Sequence, residues 1–476
     1  MAAVMTALIF LYYLLPLGTA VQFGGDEGYQ LITGFLMSKG YALYTPIWND
    51  QPPVHVLLLK WLFQHWGPSI LAARLMAAGF GLVLFGTFFQ LVRQRLAGRT
   101  ALLATLFLVS GPAIFELSVS AMQEVPAFAL ALVSVWLLFQ WSHKRRWGWL
   151  LVSGAVMGVA LGIKLTAVLV VPAMLVEVWL AFNRPRAPVL MKPAALAILT
   201  WIITTGLIFA GITLLWGQGS FQTSFRSHFA EHAITGLARP EDFPLPFSLF
   251  WDHAECTGAA IVGLILVSRR RQWRPFALPL VMLATVMFIH LFHRPWWGYY
   301  YLHLAIPLAW LAGFAVNEAL THVSRLLARS QLDFASSKTW QGVGLCALVA
   351  LVLVRAEGRL ESGVKNLRER ERVETSPILA KMKENAGRTH WVYVQYPHEI
   401  YPFQAQLLMP PELALVTLKR FWSDQISEAQ IIEICRHYQP EQVLLKAEPL
   451  SDAWQAFLSP YTIVYQDKDF VLYVLK

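Results

Sequence analysis

The sequence predicts a polytopic α-helical membrane protein of about eleven spans with a small α/β domain at its C-terminal end, and three observations lead to this prediction. Only 14% of the 476 residues are charged and 56% are hydrophobic, whereas a soluble domain carries about 25% charged residues. Apolar runs of about 18 or more residues recur, each long enough to cross about 30 Å of hydrocarbon as a helix. Basic residues fall into five clusters, and the hydrophilic segments between them hold almost none.

The first apolar run covers Met5 to Val21. No basic region precedes it and no small-residue cleavage site follows it, so we interpret it as a first span and not as a cleaved signal peptide. An outer loop at 22–67 comes next, with helix-compatible pieces interrupted at Gly40 and at several prolines. Its many tyrosines and tryptophans predict helices that lie along the membrane interface.

The five basic clusters determine the expected topology. If every cluster is cytoplasmic, as the positive-inside rule requires, the N-terminus is cytoplasmic and the chain after residue 355 is extracytoplasmic. The segment Trp147–Phe182 must then cross the inner (cell) membrane twice, which predicts a tight turn at the outer face around Lys164. The last span is expected over Gln341–Val354. The clusters are Arg93, Arg95 and Arg99; Lys144, Arg145 and Arg146; Arg184, Arg186 and Lys192; Arg269, Arg270, Arg271 and Arg274; and Arg325, Arg329 and Lys338.

The chain from 356 to 476 has a different character. The part before it holds 24 of the 38 basic but only 13 of the 29 acidic residues, so the net charge of +9 arises there. This distribution indicates membrane topology and argues against nucleic-acid binding. We therefore expect a transmembrane domain over 1–355 and a soluble extracytoplasmic α/β domain over 356–476. Its predicted elements are a strand at His390–Tyr396, a helix at Ser427–His437, and strands at Gln442–Lys446 and Phe470–Leu475.

Acidic residues at the outer ends of predicted spans are the first candidates for catalysis. Asp26 and Glu27 follow two glycines directly after the first span, and Glu124 lies at the outer end of the third and fourth spans. A carboxylate at such a place acts as a general base toward a hydroxyl group when its pKa suits the task. The alternative is that these carboxylates are simply solvated at the membrane surface.

Several motifs, taken in order, resemble the GT-C type transferases, which include the protein O-mannosyltransferases and the aminoarabinose transferase of lipid A. The resemblance covers about 1–355. It is carried by the short first span, by Asp26-Glu27, by Gly40-Tyr41-Ala-Leu-Tyr44 and by Asp50-Gln51-Pro52-Pro53. Two later stretches add to the resemblance. Gly158 to Thr166, which includes Lys164, is similar to the superfamily's Gly-rich turn with a lysine. Trp296 to Pro307, which includes Tyr300, is similar to its Tyr-Tyr and Leu-x-x-Pro stretch.

This resemblance implies an inverting glycosyltransferase of the cell envelope. The sugar would pass from a polyprenyl-phosphate donor to a lipid, glycan or protein acceptor at the outer face. By analogy Asp26 is the base, with Glu27 and Glu124 as further catalytic candidates, and the substrate loop contains Tyr41, Tyr44, Gln51 and Pro52. Gln51 stands where some relatives carry lysine, so any phosphate or sugar contact of that lysine is lost or supplied elsewhere.

A polyprenyl-phosphate leaving group requires cations near the outer headgroup level. The candidates for binding the donor phosphate or lipid are Lys164, His293, Arg294, Tyr300 and His303, and the second outer loop adds Arg226, His228, His232 and Arg239. The alternative for a lone lysine or arginine near a span end is that it extends to lipid headgroups. His228 and His232 have the spacing of one helix face but no third ligand nearby, and the three cysteines are far apart, so neither a metal nor a cofactor is predicted.

Two other function classes remain open at this stage. A transporter or lipid flippase usually shows repeated halves and ionisable residues near the middle of the membrane. Here Glu177 and Glu318 lie near predicted cytoplasmic ends and no half-repeat is visible. A receptor scaffold built around the C-terminal domain would leave Asp26 and the aromatic outer loop without a role. The transferase hypothesis makes a specific demand, that Asp26, Glu124 and Lys164 meet in one cavity.

Overall fold

The computed structural model describes residues 1–182, 191–216, 242–330, 337–387 and 391–476. Six helices within these ranges are long and apolar enough to cross a membrane. This confirms the predicted multi-pass helical architecture, while the number of spans remains a prediction. Six residues of the predicted basic cluster and outer loop lie outside the described ranges: Arg184, Arg186, Arg226, His228, His232 and Arg239.

Thirteen α-helices of twelve or more residues in the described ranges make up the N-terminal part of the chain and lead into the C-terminal domain, with two shorter helices at Ile114–Leu117 and Ser248–Asp252. The first ends at Tyr13, earlier than the span that the apolar run to Val21 predicts. The helices are α1 (Ala2–Tyr13), α2 (Glu27–Ser38), α3 (Val54–Trp66), α4 (Ile70–Arg95), α5 (Gly98–Val109), α6 (Glu124–Lys144), α7 (Trp147–Ile163), α8 (Val171–Phe182), α9 (Met191–Leu214), α10 (Ala254–Arg270), α11 (Ala277–Phe292), α12 (Tyr301–Ser330) and α13 (Ser337–Arg368).

One end of the helical bundle is marked by arginines, and we call it the basic end. Arg95, the last residue of α4, pairs with Glu177 of α8. Arg270, the last residue of α10, lies 2.7 Å from Glu318 of α12. Arg145, which follows α6, donates a hydrogen bond to a main-chain oxygen near the end of α8. Three of the predicted basic clusters therefore meet at one end, as the positive-inside alternation requires.

The predicted hairpin around Lys164 is present. Gly154 of α7 packs against Thr204 of α9, and Gly162 packs against Ile212, so α7 and α9 run parallel and in close contact. The chain that joins them, which includes α8, must therefore return in the opposite direction. The helix breaks at Lys164, whose backbone is extended, and a 3₁₀ turn at Leu165–Val170 leads into α8. Lys164 thus lies at the end opposite the basic end.

Helix α13 carries the chain to that same opposite end. Arg359 in its second half pairs with Glu255 in the first turn of α10, far from Arg270 at the other end of that helix. The helix runs without interruption through residue 355, where the sequence predicts the domain boundary. The C-terminal domain is therefore connected to the bundle by a continuous helix.

The C-terminal domain contains four strands, β1 (Val392–Val394), β2 (Gln442–Lys446), β3 (Tyr461–Gln466) and β4 (Phe470–Leu475). They form one sheet in the order β1-β2-β4-β3, in which β1 and β2 are parallel and the other pairs antiparallel. The helices are α14 (Pro377–Glu384) and α15 (Glu428–Tyr438), with short helices at Ile400–Ala405, Leu418–Trp422 and Asp452–Leu458. Strands β2 and β4 and helix α15 match the predicted ranges closely, whereas β3 was not predicted.

This domain packs directly on α2. An added Cβ at Gly28 would lie 2.5 Å from the backbone nitrogen of Ile400, and the ring of Phe35 meets the edge of Phe403. Every residue from Glu27 to Met37 is buried. The C-terminal domain therefore covers α2, and the expectation that the helices of the outer loop lie along the membrane interface stays a prediction. Helix α3 does keep Trp61 and Trp66 exposed.

Candidate active site

A cavity lies under the C-terminal domain, at the end opposite the basic end. Its empty volume, including the mouth, is about 840 Å³. Asp26, Glu124 and Lys164 all line it, which is the arrangement that the transferase hypothesis demands. The polar lining residues are the carboxylates Asp26, Asp50 and Glu124, the amides Gln30, Gln51 and Gln123, the amines Lys164 and Lys419, the hydroxyls of Thr417, Tyr29, Tyr299 and Tyr396, and the indole of Trp297.

Asp26 is positioned by the turn that precedes α2. Gly24 donates its backbone N–H to Ser120 at 3.1 Å, and any Cβ at Gly24 would lie 2.3 Å from the sulfur of Met122. Glycine is therefore needed for the chain to approach this wall. The Asp26 carboxylate accepts a hydrogen bond from the Tyr396 hydroxyl at 3.1 Å.

The surroundings of Asp26 favour its neutral form. Burial raises the pKa of Asp26 above its ordinary value, the charge of Glu124 raises it further, and Lys164 acts in the opposite direction. A carboxylate with a raised pKa is a stronger base in its ionised form. The site therefore holds a carboxylate suited to removing a proton from a hydroxyl group.

Lys164 and Glu124 form an ion pair in the wall of the cavity. Glu124 is the first residue of α6 and Lys164 follows α7, so the pair joins two antiparallel helices at the same end. Both residues are buried, and the Lys164 ammonium group lies 4.5 Å from the centre of the Tyr299 ring. The pair holds a positive charge close to Asp26.

Glu27 does not line the cavity, which corrects its prediction as a catalytic residue. Its carboxylate is 2.7 Å from the Arg74 guanidinium and also accepts hydrogen bonds from the backbone of Phe23 and Ala121. Glu27 and Arg74 are both completely buried. Because the Glu27 carboxylate is enclosed on all sides by donors, it ties the start of α2 to α4 and does not face substrate.

Within the part of the chain that the structure describes, the other predicted ligands of the phosphate or lipid, His293, Arg294, Tyr300 and His303, lie outside the cavity lining. His293 and Arg294 are exposed, since α11 ends at Phe292 and the chain then turns outward. His303 is buried and lies 3.0 Å from His290, and the Tyr300 ring stacks against the same histidine. Tyr300 and His303 thus form an aromatic cluster behind the cavity wall.

The predicted substrate loop contributes Gln51 to the lining. Its backbone is held by the Tyr44 hydroxyl, which donates to the Gln51 carbonyl oxygen at 2.8 Å, and by Asn49. Tyr41 instead contacts the C-terminal domain through Trp391. Pro52 is buried but does not line the cavity. Tyr44 therefore holds the backbone of Gln51 and does not itself line the cavity.

Sequence reasoning missed the part of the site that the C-terminal domain supplies. Tyr396 follows strand β1 and donates to Asp26, and Lys419 lies 2.8 Å from Asp50. In the sequence, Lys419 and Arg420 look like an ordinary exposed pair. No local signal marks Lys419, because its partner Asp50 is distant in the chain.

One part of the chain matches a known family model. Residues 50–216 match the family model described as dolichyl-phosphate-mannose-protein mannosyltransferase. A comparison with curated protein sequences gives no match.

Solved structures share the fold over nearly the whole chain. ArnT from Cupriavidus metallidurans in the apo state is 17% identical, with a TM-score of 0.67 over 99% of this chain and 96% of that one. The same protein bound to undecaprenyl phosphate gives 17% identity, the same coverage and a TM-score of 0.66. The apo oligosaccharyltransferase of Archaeoglobus fulgidus is 12% identical, with a TM-score of 0.56 over 96% of this chain and 71% of that one.

These findings confirm the fold class predicted from the sequence, a GT-C-like helical membrane protein with a small C-terminal sheet domain. The match of residues 50–216 to the mannosyltransferase family model agrees with the predicted class of protein, a membrane glycosyltransferase of the GT-C type, which stays a prediction.

Proposed function

We propose that this protein transfers a sugar from a polyprenyl-phosphate donor to an acceptor at the outer face of the inner membrane, with inversion at the anomeric carbon and Asp26 as general base. The observation that carries this proposal is the single cavity lined by Asp26, Glu124 and Lys164. The similarity to ArnT, solved with undecaprenyl phosphate bound, supports a lipid phosphate as the donor's leaving group.

The reaction needs one proton transfer and one substitution. The acceptor hydroxyl gives its proton to the Asp26 carboxylate while its oxygen attacks the anomeric carbon of the sugar. The bond from that carbon to the phosphate oxygen breaks, and the polyprenyl phosphate leaves with the electron pair. Attack from the face opposite the leaving group inverts the anomeric configuration, and Asp26 then returns its proton to water. The hydrogen bond from Tyr396 orients the carboxylate.

Lys164 is the residue of the transmembrane part best placed to assist departure of the phosphate. A phosphodiester carries one negative charge and the departing phosphate monoester carries up to two, so a nearby cation stabilises the transition state more than the ground state. An ammonium group has three donors, and pairing with Glu124 leaves others for a phosphate oxygen. Glu124 thereby positions Lys164.

The test is transfer from synthetic undecaprenyl-phosphate sugars by the purified full-length protein, with release of undecaprenyl phosphate as the readout. Asp26→Asn keeps the shape of the side chain and removes its basicity, so turnover should fall by about 10²-fold or more while undecaprenyl phosphate still binds. Asp469→Asn, on an exposed turn of the C-terminal domain, is the matched control. Near-normal transfer by Asp26→Asn would make Glu124 the next candidate for the base.

A further inference from the structure

We infer that the C-terminal domain completes the donor site, with Lys419 as a second cation that binds the phosphate of the lipid donor. The inference rests on the proposed function and adds to it a binding residue from outside the transmembrane part. Lys419 belongs to the short helix Leu418–Trp422 and lines the same cavity as Asp26 and Lys164.

The position of Lys419 is held by contacts on both sides of it. Its ammonium group lies 2.8 Å from the Asp50 carboxylate, and its side chain is only 17% exposed. The neighbouring Arg420 donates to two main-chain carbonyl oxygens, at 2.7 and 2.8 Å, and its guanidinium lies 5.1 Å from the centre of the Trp48 ring. Trp48 in turn donates to Gln425 at 2.5 Å. Lys419 is therefore a preorganised charge and not a mobile surface lysine.

Lys419 remains positively charged in this setting. Burial acts to lower the pKa of Lys419, but the nearby Asp50, Tyr300 and Asp26 outweigh it and raise the pKa above the ordinary value. An ammonium group has three donors. One of them serves Asp50, which leaves the others for a ligand in the cavity.

The charge balance of the cavity requires this cation. Among the described lining residues, three carboxylates (Asp26, Asp50 and Glu124) face two amines (Lys164 and Lys419). Without Lys419, the site with Asp26 ionised would hold two excess negative charges and would repel a phosphodiester. When Asp26 accepts the proton of the acceptor, the two remaining carboxylates are balanced by the two amines at the moment when the leaving phosphate gains charge.

The loop beside Asp50 offers no cation of its own. Gln51 lines the cavity as a neutral amide, so in this part of the site only the C-terminal domain brings a positive charge among the described residues. This arrangement suggests a direct rescue. A lysine at position 51 would replace the charge that is lost when Lys419 is removed.

The experiment measures binding of undecaprenyl phosphate to the purified full chain in detergent, which needs no turnover. Lys419→Ala, and Lys419→Gln, which keeps a hydrogen bond to Asp50, should each weaken binding about tenfold or more, because a charge-assisted hydrogen bond to phosphate is lost. The double variant Lys419→Ala with Gln51→Lys should recover most of that loss. Lys381→Ala, which removes an exposed lysine paired with Glu384 at 2.7 Å, is the matched control in the same domain.

Asp50→Asn separates phosphate binding from a purely structural ion pair. If Lys419 binds phosphate, Asp50→Asn releases it from its partner and binding is retained or becomes tighter. If the ion pair of Lys419 and Asp50 serves only to attach the domain, Lys419→Gln and Asp50→Asn lower the melting temperature equally and neither changes the binding of undecaprenyl phosphate. That result would overturn the inference. Failure of the unmodified protein to bind undecaprenyl phosphate would instead contradict the proposed function. Normal binding by Lys419→Gln would leave that function intact and remove Lys419 from the site.

Discussion

Asp26 and Glu27 are adjacent carboxylates for which the structure predicts opposite roles, and Glu27→Gln tests this most directly. Glu27 is completely buried against Arg74, while Asp26 faces the cavity. We expect Glu27→Gln to destabilise the folded protein and Asp26→Asn to lower turnover by about 10²-fold or more without destabilising the protein.

The magnitude for Glu27→Gln follows from its hydrogen bonds. One carboxylate oxygen accepts from Arg74 Nε at 2.9 Å and from the Ala121 N–H at 3.1 Å, and the other accepts from Arg74 Nη2 at 2.7 Å and from the Phe23 N–H at 2.9 Å. Glutamine has only one accepting oxygen, so two of the four donors would face its NH₂ group. Removing one partner of a buried ion pair costs about 3–5 kcal/mol.

Arg74 would retain part of its bonding in the variant. It also donates to the carbonyl oxygens of Leu17 and Ala20, each at 2.9 Å. We therefore expect the lower half of that range, about 3–4 kcal/mol. This corresponds to a rise of roughly 10²-fold or more in the unfolded fraction relative to the folded one.

The assay is thermal unfolding of both variants in the same detergent, followed by tryptophan fluorescence, alongside the turnover measurement. Glu27→Gln should melt well below the unmodified protein. Asp26→Asn should melt at or slightly above it, because burial opposes the charge that the substitution removes. An unchanged melting temperature for Glu27→Gln, combined with loss of turnover, would refute the structural role of Glu27.

Two further predictions concern the pH profile and the domain contact. Transfer requires ionised Asp26, so activity is lost as the pH falls through the raised pKa of Asp26. Because Glu124 raises this pKa, Glu124→Gln should move the acidic limb of the pH–rate profile to lower pH. Because Lys164 lowers it, Lys164→Met should move the limb to higher pH. The check is the pH–rate profile of the unmodified protein and of both variants. If the acidic limbs of the three profiles coincide, Glu124 and Lys164 do not influence the pKa of Asp26. Gly28→Ala should displace the C-terminal domain, because the new Cβ would lie 2.5 Å from the Ile400 backbone nitrogen, and both melting temperature and transfer should fall. Gly79→Ala, a helical glycine with nothing within 4 Å of an added Cβ, is the control and should lower neither.

Patterns that depend on neighbouring residues were readable from the sequence. Strands β2 and β4 begin and end where their apolar runs do, and α15 begins at Glu428, directly after the predicted Ser427, which caps it together with Gln430. The hairpin at Lys164 followed from counting residues between two basic clusters. Strand β3 was missed although Tyr461–Gln466 is rich in β-branched and aromatic residues, because its pairing with β4 is what makes it a strand.

By itself the sequence predicted a class of protein, and it determined the helical membrane architecture and three of the residues that line the cavity, Asp26, Glu124 and Lys164. Those features depend on local composition and on the ends of helices, where periodicity and charge act over a few residues. The tertiary structure alone decided that Glu27 is sealed by Arg74 and that Lys419 enters the site. Adjacent residues at the start of a helix point about 100° apart, so a motif does not state which carboxylate faces the cavity. The partner of Lys419, Asp50, is 369 residues away in the chain, and only folding brings the two charges together.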